Sequence, residues 1–167
     1  MEITNTIKAI ILVNLDGKQV LSKSYDDKLQ LKEFVKRIFV KTKTQKTRDD
    51  ISTVDGYIVI HRFVTDLHMY VVGAKNENPL ILDRVLCCLV EVVTTLLNKN
   101  IERQSVLENL DQIILALDEI CDGGTVLETD PDLVIHRVCR QNETSDQSMA
   151  QVLQNAKGHL RFPWIRS

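Results

Sequence analysis

The sequence has little of what marks most specialised chains. Only 3 prolines and 6 glycines occur in 167 residues, which argues against a long disordered tail or a collagen-like repeat. Charge of one sign is also missing: 21 Lys and Arg stand against 23 Asp and Glu, a net charge of -2. Polyanion binders normally carry a strongly basic balance, so no nucleic-acid partner is expected. No apolar run nears the roughly 20 residues that a membrane helix needs. The longest, Val85–Val90, spans six residues before Glu91 interrupts it. The N-terminus lacks a basic-then-apolar signal region with a small-residue cleavage site, so the expected location is the cytosol.

Catalytic signatures are absent as well. The chain contains no Gly-x-x-x-x-Gly-Lys-Ser/Thr phosphate loop, no His-Glu-x-x-His and no Gly-x-Ser-x-Gly elbow. Asp122-Gly123-Gly124 follows a helical pattern where a phosphate site would open one, so it reads as a helix stop. Glu128, Asp130 and Asp132 gather at a helix start, where carboxylates are favoured without any catalytic role. The four cysteines, Cys87, Cys88, Cys121 and Cys139, form no Cys-x-x-Cys pair. Adjacent residues on a helix do not bridge easily, so they read as free thiols used as small apolar side chains. No catalytic, metal or cofactor site is expected.

What is present is strong patterning. Residues 6–24 read as a β-hairpin: Ile7, Ala9, Ile11 and Val13 alternate with Lys8, Ile10, Leu12 and Asn14, and Asp16-Gly17 suits the turn. Both faces are largely apolar, which predicts a strand covered on both sides. Residues 28–46 read as a helix with Leu31, Phe34, Val35, Ile38 and Phe39 on one face. Lys28, Lys32, Lys36, Arg37, Lys41, Lys43 and Lys46 occupy the other, against Glu33 alone. That face reads first as solvated, with an acidic partner or anionic lipid as the functional alternative.

Residues 56–73 read as a second hairpin turning at Thr65-Asp66, which would pair Phe63 with His68 and His61 with Tyr70. Two nearby histidines invite a metal reading, but no third ligand with suitable spacing accompanies them, so packing among aromatics is the expectation. A short strand near Ile51–Val54 would bring the sheet to five.

Beyond Pro79 the pattern is helical. Residues 80–98 carry apolar positions over roughly 200° of arc, about twice the stripe of a surface helix. Ile81, Cys88 and Val92 lie on one flank, Val90 and Leu97 on the other. Such width suggests a second buried surface, supplied by neighbouring helices or by a partner. Helices follow over about 104–121, with Leu107, Leu110, Ile113, Ile114, Leu117 and Cys121 as its stripe, and after Asp130-Pro131, with Leu133, Val134 and Val138 inward. Residues 141–146 read as a polar linker, and Met149, Val152, Leu153, Ala156 and Leu160 mark a last amphipathic helix. Strands first and helices later predict an α+β fold: one domain over 1–160 with a helical C-terminal half, then a tail over 161–167.

Several strings then carry a family resemblance. Leu107-Glu108-Asn109-Leu110 through Leu117-Asp118-Glu119-Ile120, Asp122-Gly123-Gly124 and Val126-Leu127-Glu128-Thr129-Asp130-Pro131 are the strongest. Lys8-Ala9-Ile10, Leu15-Asp16-Gly17, Tyr25-Asp26-Asp27 and Asn76-Glu77-Asn78 support them. In these the chain resembles the clathrin-adaptor small-chain family, and within it the zeta subunits of the coatomer. The family's hairpin signature falls on Val59-Ile60-His61-Arg62 and Leu67-His68-Met69, where His61 and His68 stand in place of tyrosines and Met69 in place of phenylalanine.

The resemblance implies a longin-like fold, a five-stranded antiparallel sheet flanked by helices, and a non-enzymatic role in the COPI vesicle coat. It implies pairing with the coatomer gamma subunit within the full coatomer. It also implies recruitment to Golgi membranes by an Arf-type GTPase, membrane contact only through the complex, and transport from Golgi to endoplasmic reticulum and within the Golgi. Ile81, Cys88, Val90 and Leu97 are the expected gamma-facing residues. Sorting-adaptor sigma chains hold acidic dileucine signals near this hairpin and long helix. The matching Leu67, Val90, Lys99, Asn100 and Ser105 mix apolar with polar, so no such pocket is expected here. Two other readings remain: a different longin-type trafficking or tethering subunit, and a small ligand-sensing α+β domain with a cavity near His61, His68 and Tyr70.

Overall fold

In a computed structural model the described residues are 6–44 and 49–142. Strands β1 (Ile7–Asn14), β2 (Gln19–Ser24), β3 (Asp49–Val54), β4 (Tyr57–Val64) and β5 (Leu67–Ala74) form one sheet in the order β2-β1-β5-β4-β3. Every neighbouring pair is antiparallel. The first hairpin closes through Asn14, whose Oδ1 accepts from the Asp16 and Lys18 amides at 3.0 and 2.9 Å. The second closes as its sequence requires: Val64 opposes Leu67, Phe63 opposes His68 and His61 opposes Tyr70. The expected strand at Ile51–Val54 is present as the longer β3, the outer neighbour of β4.

The two sheet faces bury two separate cores, because alternate residues of a strand point to opposite sides. Helix α1 (Leu31–Thr44) covers one face. Its Phe34, Val35 and Ile38 pack with Ala9, Ile11, Val13, Val59, Tyr70 and Val72. Helix α2 (Pro79–Leu96) covers the other, placing Leu82, Val85, Leu86, Leu89 and Val93 against Ile10, Leu12, Met69 and Val71. Asn78 caps α2, its Oδ1 accepting from the Leu80 amide at 3.0 Å, and Pro79 fills the first turn. The strand β1 is thus buried from both sides, as its double apolar pattern predicts.

The approach of α2 to the sheet depends on Gly73. A Cβ there would stand 2.6 Å from Leu82 Cδ1, so the buried Leu82 side chain would have to shift to admit it.

The helical half departs from the sequence reading in three places. The segment expected as one helix over 104–121 is two, α3 (Arg103–Glu108) and α4 (Leu110–Ile120). Asn109 breaks it: its backbone leaves helical geometry, and its Nδ2 donates to the Ser105 carbonyl at 2.9 Å. Of the expected stripe, Leu107 and Ile114 are exposed while Ile113, Leu117 and Cys121 are buried, joined in the core by Ala116 and Ile120. The glycine pair does more than stop a helix. Gly123 and Gly124, at φ 56° and 88°, turn a two-residue hairpin between β6 (Cys121–Asp122) and β7 (Thr125–Val126). The Gly124 carbonyl then accepts from the Ile7 amide at 2.9 Å, fastening that hairpin to the start of β1.

Finally, helix α5 covers 131–142, so residues 141 and 142, read as linker, are helical. It faces the core with Val134 and Val138, leaving Leu133 46% exposed. Arg137 reaches Glu119 and Glu128 at 3.5 and 3.6 Å, and Gln141 donates to Glu119 at 2.9 Å, tying α5 to α4. The rest of the linker, the helix expected around Met149–Leu160 and the tail 161–167 lie outside the described residues.

Candidate functional site

The two histidines are placed as the hairpin register dictates, side by side under the C-terminal half of α1. His61 Nε2 and His68 Nδ1 share a hydrogen bond of 2.8 Å, and the rings stack with centroids 5.1 Å apart. Tyr70 stacks on His61 at 4.8 Å, while Phe63 and Phe39 lie 4.7 and 5.5 Å from His68. The Tyr70 hydroxyl meets Thr42 Oγ1 at 2.8 Å, joining the cluster to α1. Burial, and secondarily Lys43, push the His68 pKa below its ordinary value. A metal held by both rings would have to break their mutual hydrogen bond. Among the described residues no group of three or more His, Cys, Asp or Glu could hold a metal ion. The space assigned to a sensed ligand is occupied by packed rings, with His61 and Tyr70 both buried.

The opposite side of β4 carries a polar contact with α2. Arg62 Nη1 donates to Cys87 Sγ at 3.1 Å, and Nη2 lies 3.5 Å from Asp83. This contact links α2 to β4 beside the apolar core.

The four residues singled out on α2 do not form one surface. Cys88 is 1% exposed and Leu97 4%, both within the large core, so neither can touch a partner directly. Cys88 lies close enough to Glu128 and Asp130 for their charges, after burial itself, to raise its thiol pKa to about 12. Cys88 shares its core with Val134 and Val138 of α5. Ile81 is 39% exposed and Val90 half-buried. Their separation of two and a half helical turns sets them on opposite flanks. Beside Ile81, Leu80 is the most open large apolar side chain of α2, at 74%. Sequence reasoning missed it because it lies outside the helix's inward arc.

At the positions matching a dileucine pocket, Leu67 is fully buried and Asn100 Nδ2 donates to Ser105 Oγ at 2.9 Å. Polar side chains bonded to each other stand where apolar walls would be needed.

No helix among the described residues is long and apolar enough to cross a membrane. Five antiparallel strands with one helix on the α1 face and the long α2 on the other define a longin-like adaptor small-chain fold. The model of the clathrin adaptor complex small chain family matches residues 6–145, and the chain belongs to that family. It is 39% identical to human coatomer subunit zeta-1 over 96% of this chain and 94% of the relative. It is 40% identical to coatomer subunit zeta-2 of Arabidopsis thaliana over 92% of each chain. The fold also matches a chain in a homology model of the full-length AP-3 complex in a stretched open conformation. That match has a TM-score of 0.61 at 16% identity and covers 87% of this chain and 98% of the other.

Proposed function

We propose that this chain is a zeta-type structural subunit of the coatomer that works as a heterodimer with the gamma subunit. The supporting observation is identity to zeta subunits of animals and plants that runs through nearly the whole chain at about 39–40%. In this reading the chain has no catalytic task. It contributes a rigid two-core block to the COPI coat, and reaches Golgi membranes and vesicles only as part of the complex, after recruitment by an Arf-type GTPase. The gamma contact is drawn to the open part of α2, where Leu80 and Ile81 present apolar area, with Val90 on the other flank. Cys88 and Leu97, buried in the core, take no direct part in that contact. Apolar area that the chain leaves uncovered is the kind of surface an obligate partner buries.

The test is an affinity pull-down of the tagged full chain from cytosol at moderate salt, read by mass spectrometry. Near-stoichiometric recovery of a large helical coatomer subunit is expected. Recovery of the chain without any large partner overturns the reading.

A further inference from the structure

The basic helix α1 is not used by the proposed pairing. It carries Lys32, Lys36, Arg37, Lys41 and Lys43 against Glu33, a local net charge of +4 in a chain whose total is -2. At 100° per residue the exposed positions sort into two rows. Lys32, Lys36 and Lys43 form one, and Arg37 and Lys41 the other, with Val40 between them. Val40 is 63% exposed and lies between the two charged rows.

The rows differ in freedom. Arg37 pairs with Asp55 at 2.7 Å, and Lys41 Nζ donates to the Thr53 carbonyl of the edge strand β3 at 2.7 Å. That row is held in place by the fold. In the other row, Lys32 has no ion pair among the described residues. Lys36 is 3.6 Å from Glu33 on the same exposed face, a weak tie. Between the rows lies a shallow depression of about 350 Å³, lined by Glu33, Lys36, Arg37, Val40, Lys41 and Thr44.

From this we propose that the outer face of α1 docks an acidic peptide segment that presents one aliphatic side chain. Its carboxylates meet Lys32 and Lys36, and the aliphatic group sits on Val40. Charge complementarity selects the sign of the partner. One exposed valine is too little apolar area to seat a helix in a bilayer interface, which takes a broad apolar face, and it matches a single peptide side chain instead. The partner is distinct from gamma, so the proposal stands independently of that pairing.

The test uses the full-length chain and a fluorescein-labelled synthetic peptide rich in Asp and Glu with a single Leu, read by anisotropy. Comparison peptides replace the acids by Gln or the Leu by Ser. Vesicles of phosphatidylcholine with and without phosphatidylserine form the second arm. Binding of the acidic Leu peptide is expected, and Lys32→Glu with Lys36→Glu weakens it about tenfold, the sum of two exposed ion pairs. Val40→Ser weakens it several-fold while leaving the Ser-containing peptide unaffected. All these side chains are exposed, and an unchanged thermal midpoint of each variant shows that the fold is intact. Equal binding of the Gln peptide, or indifference to the lysine changes, overturns the proposal. So does binding to phosphatidylserine vesicles without binding to the peptide, which would make the face a membrane contact.

Discussion

His61 and His68 form a bridged pair whose strength depends on how many protons it holds. Two imidazoles bridged at 2.8 Å need one donor and one acceptor, so the pair holds together only while at least one ring is neutral. Burial lowers the His68 pKa, with Lys43 adding repulsion from α1. A histidine whose folded pKa is depressed binds fewer protons folded than unfolded. Stability is therefore full above the unfolded value of about 6.5 and falls as pH drops toward the folded pKa. The thermal midpoint should decline between about pH 7 and pH 5, and His68→Phe should flatten that decline. An unchanged slope in the variant would assign the acid sensitivity to other groups. Gly73 is a second residue whose identity is fixed by contact. Gly73→Ala sets a Cβ 2.6 Å from Leu82 and should lower stability by about 1–3 kcal/mol in denaturant unfolding, as other overpacked cores do.

Elements explain how far the sequence could be read. The second hairpin was legible to the residue: its strands alternate, its turn has two residues, and register follows from turn length alone. Helix α2 was legible in extent because Asn78 and Pro79 punctuate its start. The cap gives a direct test: Asn78→Ala removes the acceptor for the Leu80 amide and should lower stability by about 1 kcal/mol in a urea melt, whereas Asn78→Ser should restore most of it. The α3–α4 break was hidden, because Asn109 is compatible with a helix interior and its side-chain bond to the Ser105 carbonyl leaves no mark on the apolar period. Two of the four residues read as an interface, Cys88 and Leu97, are buried, and the reason is related. A helical wheel reports that a flank is apolar but not what lies against it. Cys88 and Leu97 both join the large core. Which flank remains open is a property of how elements pack, and no local period records it.

At the scale of the molecule, two cores on opposite faces of one sheet make the chain a block whose interior needs no partner, while α2 remains apolar at its start. Substitutions on that helix should therefore separate folding from assembly. Leu89 faces the sheet and is fully buried, so Leu89→Asp should unfold the chain by placing a charge in the large core, and partner binding should vanish with the fold. Leu80 and Ile81 are open, and replacing both by Asp should change the thermal midpoint of the isolated chain little, because exposed positions contribute within about 0.5 kcal/mol each. In the presence of gamma the same pair of changes should weaken co-purification at least tenfold, as expected for apolar anchors at the centre of an interface. Val90→Asp, on the opposite flank, tells whether the proposed gamma contact wraps the helix or meets its start alone. Loss of gamma with Leu80 and Ile81 altered but not with Val90 altered would confine the contact to the first turns of α2. Retention of gamma in both would move the interface to the exposed aliphatics of α3, α4 and α5, Leu107, Ile114 and Leu133.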